Sequence, residues 1–201
     1  VKAEELQQVS ERVFFWEAFD AAVKTNLSSA AIRTPAGLVI IDPAALAKGA
    51  MAELASEAPV MAIVLTNGNH ARAAEAFRKH FGAPLLAHAD AVAELGLTPD
   101  RLLRAGEFIA DLRVHEIAGA VPGEIALHSA GSGLHFGDAV LNVAPYGFAP
   151  LPGKYCLDEK AMHVALGSLA TLDFPLITFA HGTPLVTDPK NRFSQLLQSL
   201  S

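Results

Sequence analysis

The sequence predicts an α/β protein made of two mixed β-sheets packed together, with helices on their outer sides. Short apolar runs of strand length recur along the chain, separated by Gly- and Pro-containing turns. Their order is informative: strands first, then β-α units, then a meander, then α-β-α, which suits a layered mixed fold. Of the 201 residues, 51% are hydrophobic and 18% charged, enough for an ample core.

The elements follow in order. Residues 13–19 (VFFWEAF) and 27–33 read as strands. Residues 35–37 (PAG) turn the chain into 38–41 (LVII), a continuous apolar run typical of a strand covered on both faces. Pro43 cannot continue a ladder, so Asp42 falls at a strand end. Residues 44–57 are rich in Ala and Leu and read as a helix, which Pro59 breaks. A strand over 61–65 then stops at Thr66. The turn behind it, NGNHAR, places amide, imidazole and guanidinium groups at the mouth of a buried strand, where α/β proteins keep their sites.

A helix over 71–81 stops at Gly82. A strand at 84–87, a short helix at 90–95 and a loop at 96–100 come next. Residues 113–117, 124–129 and 133–140 read as an antiparallel meander. Residues 143–155, with Pro145, Pro150 and Pro152, form the one long irregular stretch, of the kind that walls or covers a site. A helix at 158–172, a strand at 176–180 and a closing helix at 189–200 complete a single domain over 1–201.

Charge and composition narrow the partners. A net charge of −6 without a Lys/Arg block argues against nucleic acid. No apolar run has the length to cross a membrane. The polar, acidic N-terminal stretch lacks the form of a signal peptide, and a cytoplasmic location is expected. The lone Cys156 excludes an internal disulfide, fits a reducing compartment and has no activating neighbour in sequence. A small-molecule ligand is expected, and an apolar-rich, mildly acidic surface suits a homodimer.

Several stretches, in order, resemble the metallo-β-lactamase superfamily. LVIIDP is similar to the family's second-strand signature ending in Asp42, and VLTNGNHAR stands where the motif Thr-His-X-His-X-Asp-His belongs. FGAPLLAHADA resembles the stretch after that motif, and GAVPGEIALH the Gly-His-Thr-Pro-Gly segment. LHFGDAV resembles the strand delivering a bridging Asp, and FAHGTP the strand end delivering the last His. The resemblance covers nearly the whole chain and implies the four-layer αββα sandwich, with its site where the sheets meet. It also implies a degenerate metal motif. The motif His positions fall on Asn67, Asn69 and Arg72, its Asp on Ala71, and the His of the Gly-rich segment on Ala120. Only Asp138 and His181 match. Catalytic zinc wants about three His, Cys or carboxylate ligands, so the expected cofactor is none or a single divalent metal, zinc by preference.

Each candidate has two readings. His70 is a metal ligand together with Asp138 and His181, or a general base; alternatively it is a helix-cap histidine bonded to nearby backbone. Asp138 and His181 form a residual metal site, or an Asp138–Arg72 or carboxylate–imidazole pair fills that space; ligand counting favours an ion pair. Asn67 and Asn69 contact a ligand or cap the next helix. Asp42 supports the site or merely ends a strand. His80, His88, His115, His128, His135 and His163 lack ligand spacing, and His128 and His135 are expected to face each other across a hairpin. Two function classes follow: a hydrolase with at most one metal, or a metal-free member that binds a small anionic molecule or a protein partner, with Arg72, His70 and His181 at the positive end of its pocket.

Overall fold

Three buried clusters hold the chain together, and between them they define four layers. The computed structural model describes residues 1–200. Seven strands, β1 (Gln7–Gln8), β2 (Val13–Asp20), β3 (Thr25–Thr34), β4 (Gly37–Ile41), β5 (Val60–Leu65), β6 (Leu85–His88) and β7 (Arg101–Leu103), lie side by side in sequence order. From β1 to β4 the pairings are antiparallel; from β4 to β7 they are parallel. The change comes where helices begin to connect the strands, because a parallel neighbour needs a long crossover. Helix α1 (Lys48–Glu57) joins β4 to β5, and α2 (Ala74–Phe81) joins β5 to β6. The short α3 (Val92–Leu95) follows β6.

The second sheet contains β8 (Phe108–Ile109), β9 (Leu112–Glu116), β10 (Ile125–Ser129) and β11 (Gly133–Phe136). After it come the hairpin strands β12 (Val140–Val143) and β13 (Gly147–Pro150), then α4 (Glu159–Gly167), β14 (Ile177–Phe179) and α5 (Pro189–Ser199). β14 pairs parallel to β11 at the edge of the second sheet; the remaining pairings there are antiparallel.

Side-chain alternation explains the layers. Val39 and Ile41 of β4 point into the cluster between the sheets, beside Val64, Val114, Ile125 and Leu127. Leu38 and Ile40 point the other way, into the cluster with Leu54 of α1 and Phe77 of α2. Both faces of β4 are therefore apolar, which is why LVII shows no alternation. The third cluster packs Leu134, Phe136 and Ile177 against Met162 and Leu166 of α4 and Phe193 of α5. Each such side chain, fully buried, contributes about 1.5–3 kcal/mol. The fold is the expected αββα sandwich.

Several sequence-based boundaries move. The helix expected from 71 begins at Ala74, because Arg72 has φ 37° and a left-handed residue cannot sit in a helix. Residues 143–155 are only partly irregular: β12 and β13 pair in register from Val140↔Pro150 to Val143↔Gly147, and a 3-10 turn follows at Gly153–Tyr155. The strand expected over 133–140 splits at Gly137 and Asp138 into β11 and β12, and the helix expected to 172 ends at Gly167. β1, β7 and β8 have two or three residues each, too few to show a period. Among the described residues no helix is long and apolar enough to cross a membrane.

Candidate metal centre

Four strand ends meet on one edge of the sandwich. Asp42 follows β4, Thr66–Arg72 follow β5, Asp138 follows β11 and His181 follows β14. The edge carries the carboxyl ends of the parallel strands, where ligand crevices form in α/β sheets.

His70 is the hinge of the arrangement. It is 2% exposed. Its Nδ1 lies 3.0 Å from Asp42 Oδ2 and 3.0 Å from Thr66 Oγ1. Its Nε2 lies 3.3 Å from Asp138 Oδ1, off the line of a hydrogen bond, and has no hydrogen-bond partner among the described residues. The helix-cap reading of His70 therefore fails: the side chain points between two carboxylates and away from α2, whose first turn has no side-chain cap. Burial and the Arg72 charge push its pKa down, but Asp138 and Asp42 outweigh them and raise it to about 9. The same attraction works on the carboxylates. Burial opposes ionisation of Asp138 and Asp42, yet the His70 charge holds both below the usual carboxylate range.

Asp42 is fixed from several sides. Thr66 donates to it through its backbone N–H at 2.8 Å and its hydroxyl at 2.5 Å. Its backbone has φ 47°, left-handed for a non-glycine residue. Asp tolerates that conformation better than most side chains. Two of the chain's few left-handed non-glycine residues, Asp42 and Arg72, thus lie in this site.

Arg72 does not pair with Asp138, the partner the sequence favoured. Its Nη1 donates to the carbonyls of Ser28 (2.7 Å) and Asp42 (3.0 Å), and its Nη2 to that of Ala180 (3.0 Å). Nη2 also comes within 3.4 Å of His181 Nε2. The guanidinium therefore knits together the ends of three strands from both sheets, because its planar fork can reach several carbonyls at once. The carboxylate–imidazole alternative is partly realised, with His181 Nε2 3.4 Å from Asp138 Oδ1. Burial, first of all, lowers the His181 pKa.

Asn67 and Asn69 do not cap α2 either. The Asn67 amide donates to Glu124 Oε2 at 2.7 Å and to Asp138 Oδ2 at 3.1 Å, while its Oδ1 accepts from the Asn69 backbone. Asn69 lines the pocket. Glu124 is the residue that sequence reasoning missed. It is buried, accepts a second bond from the Ala139 N–H at 2.9 Å, and has its pKa raised to about 8 by burial first and the Asp138 charge second. Its only sequence signal was a carboxylate at the start of an apolar strand.

Imidazole and carboxylate donors suit a divalent ion of the zinc type. The ligand atoms of His70, Asp138 and His181 all lie within 4.8 Å of one another. Two ligands of one tetrahedral ion at about 2.0–2.1 Å lie roughly 3.3–3.4 Å apart. The measured Nε2–Oδ1 separations are 3.3 and 3.4 Å. With the partnerless His70 Nε2, the residues fit a single ion. The site offers little to a second. Ala71 carries no donor, and Ala120 is sealed in the cluster beneath α4. Above the donors opens a cavity of about 750 Å³.

The other histidines lie apart. His128 and His135 do not face each other: the pairing of His128 with Leu134 and of Leu127 with His135 puts them on opposite faces of the sheet. His128 Nε2 instead bonds the Asp173 carbonyl at 2.8 Å, with its ring beside His115. His135, fully buried, bonds Thr178 at 2.7 Å. His88 does gather with Asp90 and Glu116, both exposed. Cys156 is half-buried, and burial pushes its thiol pKa up.

The model of the metallo-β-lactamase superfamily matches residues 8–200. Among solved structures, the metallo-β-lactamase from Pontibacter korlensis is 18% identical, with 96% of this chain and 98% of that one covered and a TM-score of 0.73. The DIM-1 metallo-β-lactamase is 12% identical over 100% of this chain and 99% of its own, with a TM-score of 0.75. TTHA1623, solved in a di-iron-bound form, is 22% identical over 88% of this chain and 97% of its own, with a TM-score of 0.65. No curated protein matches.

Proposed function

The chain belongs to the metallo-β-lactamase superfamily, and from that premise we propose that it is a hydrolase whose degenerate site takes one divalent ion, zinc by donor type, on His70, Asp138 and His181. The observation that carries the proposal is the buried His70 Nε2, which has no hydrogen-bond partner among the described residues and faces the other two donors. Bound there, a divalent ion would supply Lewis acidity toward the oxygen of a scissile group. The chain's own residues do the positioning. Asp42 and Thr66 hold His70 Nδ1, so the ring presents Nε2 to the pocket. Asn67 holds Asp138 Oδ2, which leaves Oδ1 toward the two histidines. Arg72 locks the strand ends that carry Asp42 and His181.

The test is elemental analysis of protein purified without added metal, followed by zinc titration monitored by calorimetry. One ion per chain is expected, with affinity falling at least about tenfold in His181→Ala and in His70→Gln. Near-zero zinc, iron and manganese, with no thermal shift on adding them, would overturn the proposal.

A second reading has its own observation. Without a metal, the charges of Asp42, Asp138, protonated His70 and Arg72 sum to zero while Glu124 stays protonated. In that reading the protein is a metal-free binder in which the imidazolium fills the cation's place. A stoichiometric metal lost on His181→Ala rules it out.

A further inference from the structure

We infer that the substrate of this site is an uncharged ester carrying an apolar chain, and not a phosphoester or a carboxylated compound; the inference rests on the hydrolase reading above. Beyond the donors, the wall of the cavity is apolar. Leu27 of β3, Val121, Leu141 and Val143 of β12, and Leu151 line it, and Tyr155 closes one side. Val23, at the β2–β3 turn, also lines it and stands 62% exposed, as Tyr155 does at 58%. Large apolar side chains left in water at a cavity mouth mark a surface that an apolar ligand covers.

Charge points the same way. Among the described residues no lysine lines the cavity, and its only arginine is Arg72. That guanidinium is occupied: Nη1 serves Ser28 and Asp42, and Nη2 serves Ala180. His70 also faces the cavity, but its ring stands between the carboxylates of Asp42 and Asp138, so in the metal-free protein a phosphate or carboxylate on the ligand would meet no unbalanced cationic group among the described residues of the wall. It would meet Asp20, the acidic group at the rim. Burying an anion without a partner is costly, whereas burying a methylene is worth about 0.8 kcal/mol. The wall selects chain length and rejects charge. Hydrolysis then balances simply. The water oxygen bonds to the acyl carbon, the acyl C–O bond breaks, and the alcohol leaves with a proton as the carboxylic acid forms.

Two measurements test the inference. The first is equilibrium binding of N-methyl octanamide and of octanoate, which share a tail and differ in charge, to the metal-stripped protein. The amide is expected to bind at least about tenfold more tightly. Leu141→Lys, and separately Val23→Lys at the exposed turn, are expected to reverse or erase that order. Octanoate binding as tightly as the amide in the unmodified protein, or an amide affinity unchanged in both variants, would overturn the inference. The second is turnover by the zinc-loaded protein, in which p-nitrophenyl octanoate is expected to exceed bis(p-nitrophenyl) phosphate at least about a hundredfold in kcat/KM. The reverse preference overturns the inference. If neither compound turns over while amide binding and its loss in the lysine variants persist, the hydrolase reading falls and the preference for an uncharged apolar ligand stands.

Discussion

The Asp42 carboxylate lies 3.0 Å from His70 Nδ1, and this pair decides what the other ring nitrogen can do. With Nδ1–H held by Asp42, the neutral ring carries its lone pair on Nε2, aimed at Asp138 and His181. The same carboxylate helps to hold a second proton on the ring, so in the metal-free protein the pKa stands at about 9. In the one-ion proposal Asp42 would therefore both prepare His70 as a ligand and keep it protonated until a metal arrives.

Metal affinity should consequently depend on pH. Below about 9 an entering ion must displace the Nε2 proton. Zinc affinity, measured by competition with a chelator, is expected to rise about tenfold per pH unit between pH 6.5 and 8.5, with about one proton released per ion. A flat profile would mean that His70 is not a ligand.

Glu124 should make folding sensitive to pH in a separate way. Its folded pKa is raised from 4.5 to about 8, so the folded state holds a proton that the unfolded state releases. The associated stability is fully present below about 4.5 and is lost as pH rises to about 8. His70 acts in the same direction over the window from 6.5 to about 9. In Glu124→Gln the first contribution is absent. In metal-stripped protein the variant is expected to gain on the unmodified chain by about 3–4 kcal/mol between pH 5 and pH 8, read by urea unfolding. A pH-independent difference would show that Glu124 is ionised in the folded protein.

The order of the strands and most helices could be read from the sequence, because β4, β5, β10 and α5 have strong apolar patterns and clear Pro or Gly stops. The positions of Asp42 and His181 at strand ends were legible for the same reason, whereas the strand read over 133–140 ran through Asp138. What could not be read was the turn after β5. His70 occupies a spacer position of the motif it resembles, and its direction is set by Asp42, 28 residues earlier, and by the left-handed backbone at Arg72. Arg72 was expected to seek a carboxylate. It found three carbonyls, one from each of three distant segments, which only the closed sandwich brings together. Glu124 escaped notice because its partners Asn67 and Ala139 come from other strand ends.

Replacing Arg72 by lysine separates charge from geometry. Lysine keeps the positive charge near His181 but cannot reach the carbonyls of Ser28, Asp42 and Ala180 with one compact ammonium. Arg72→Lys is expected to cost about 3 kcal/mol in urea unfolding, because buried carbonyls lose charge-assisted donors. A loss below about 1 kcal/mol would show that the charge alone matters.

Gly137 tests how tightly the support behind the donors is packed. A Cβ there would fall 2.7 Å from Glu124 Oε1 and would also strike the Thr66 hydroxyl. Neither neighbour can yield freely: Thr66 holds Asp42, and Glu124 holds Asn67, which in turn holds Asp138. Gly137→Ala is expected to destabilise the protein by about 2 kcal/mol and to weaken zinc binding about tenfold, as the displaced partners turn His70 and Asp138 away from each other. Gly49→Ala on α1 is the control, since its Cβ would meet nothing within 4 Å and alanine favours a helix over glycine. Equal losses in the two variants would place the effect in glycine's backbone freedom and not in the crowded layer behind the donors.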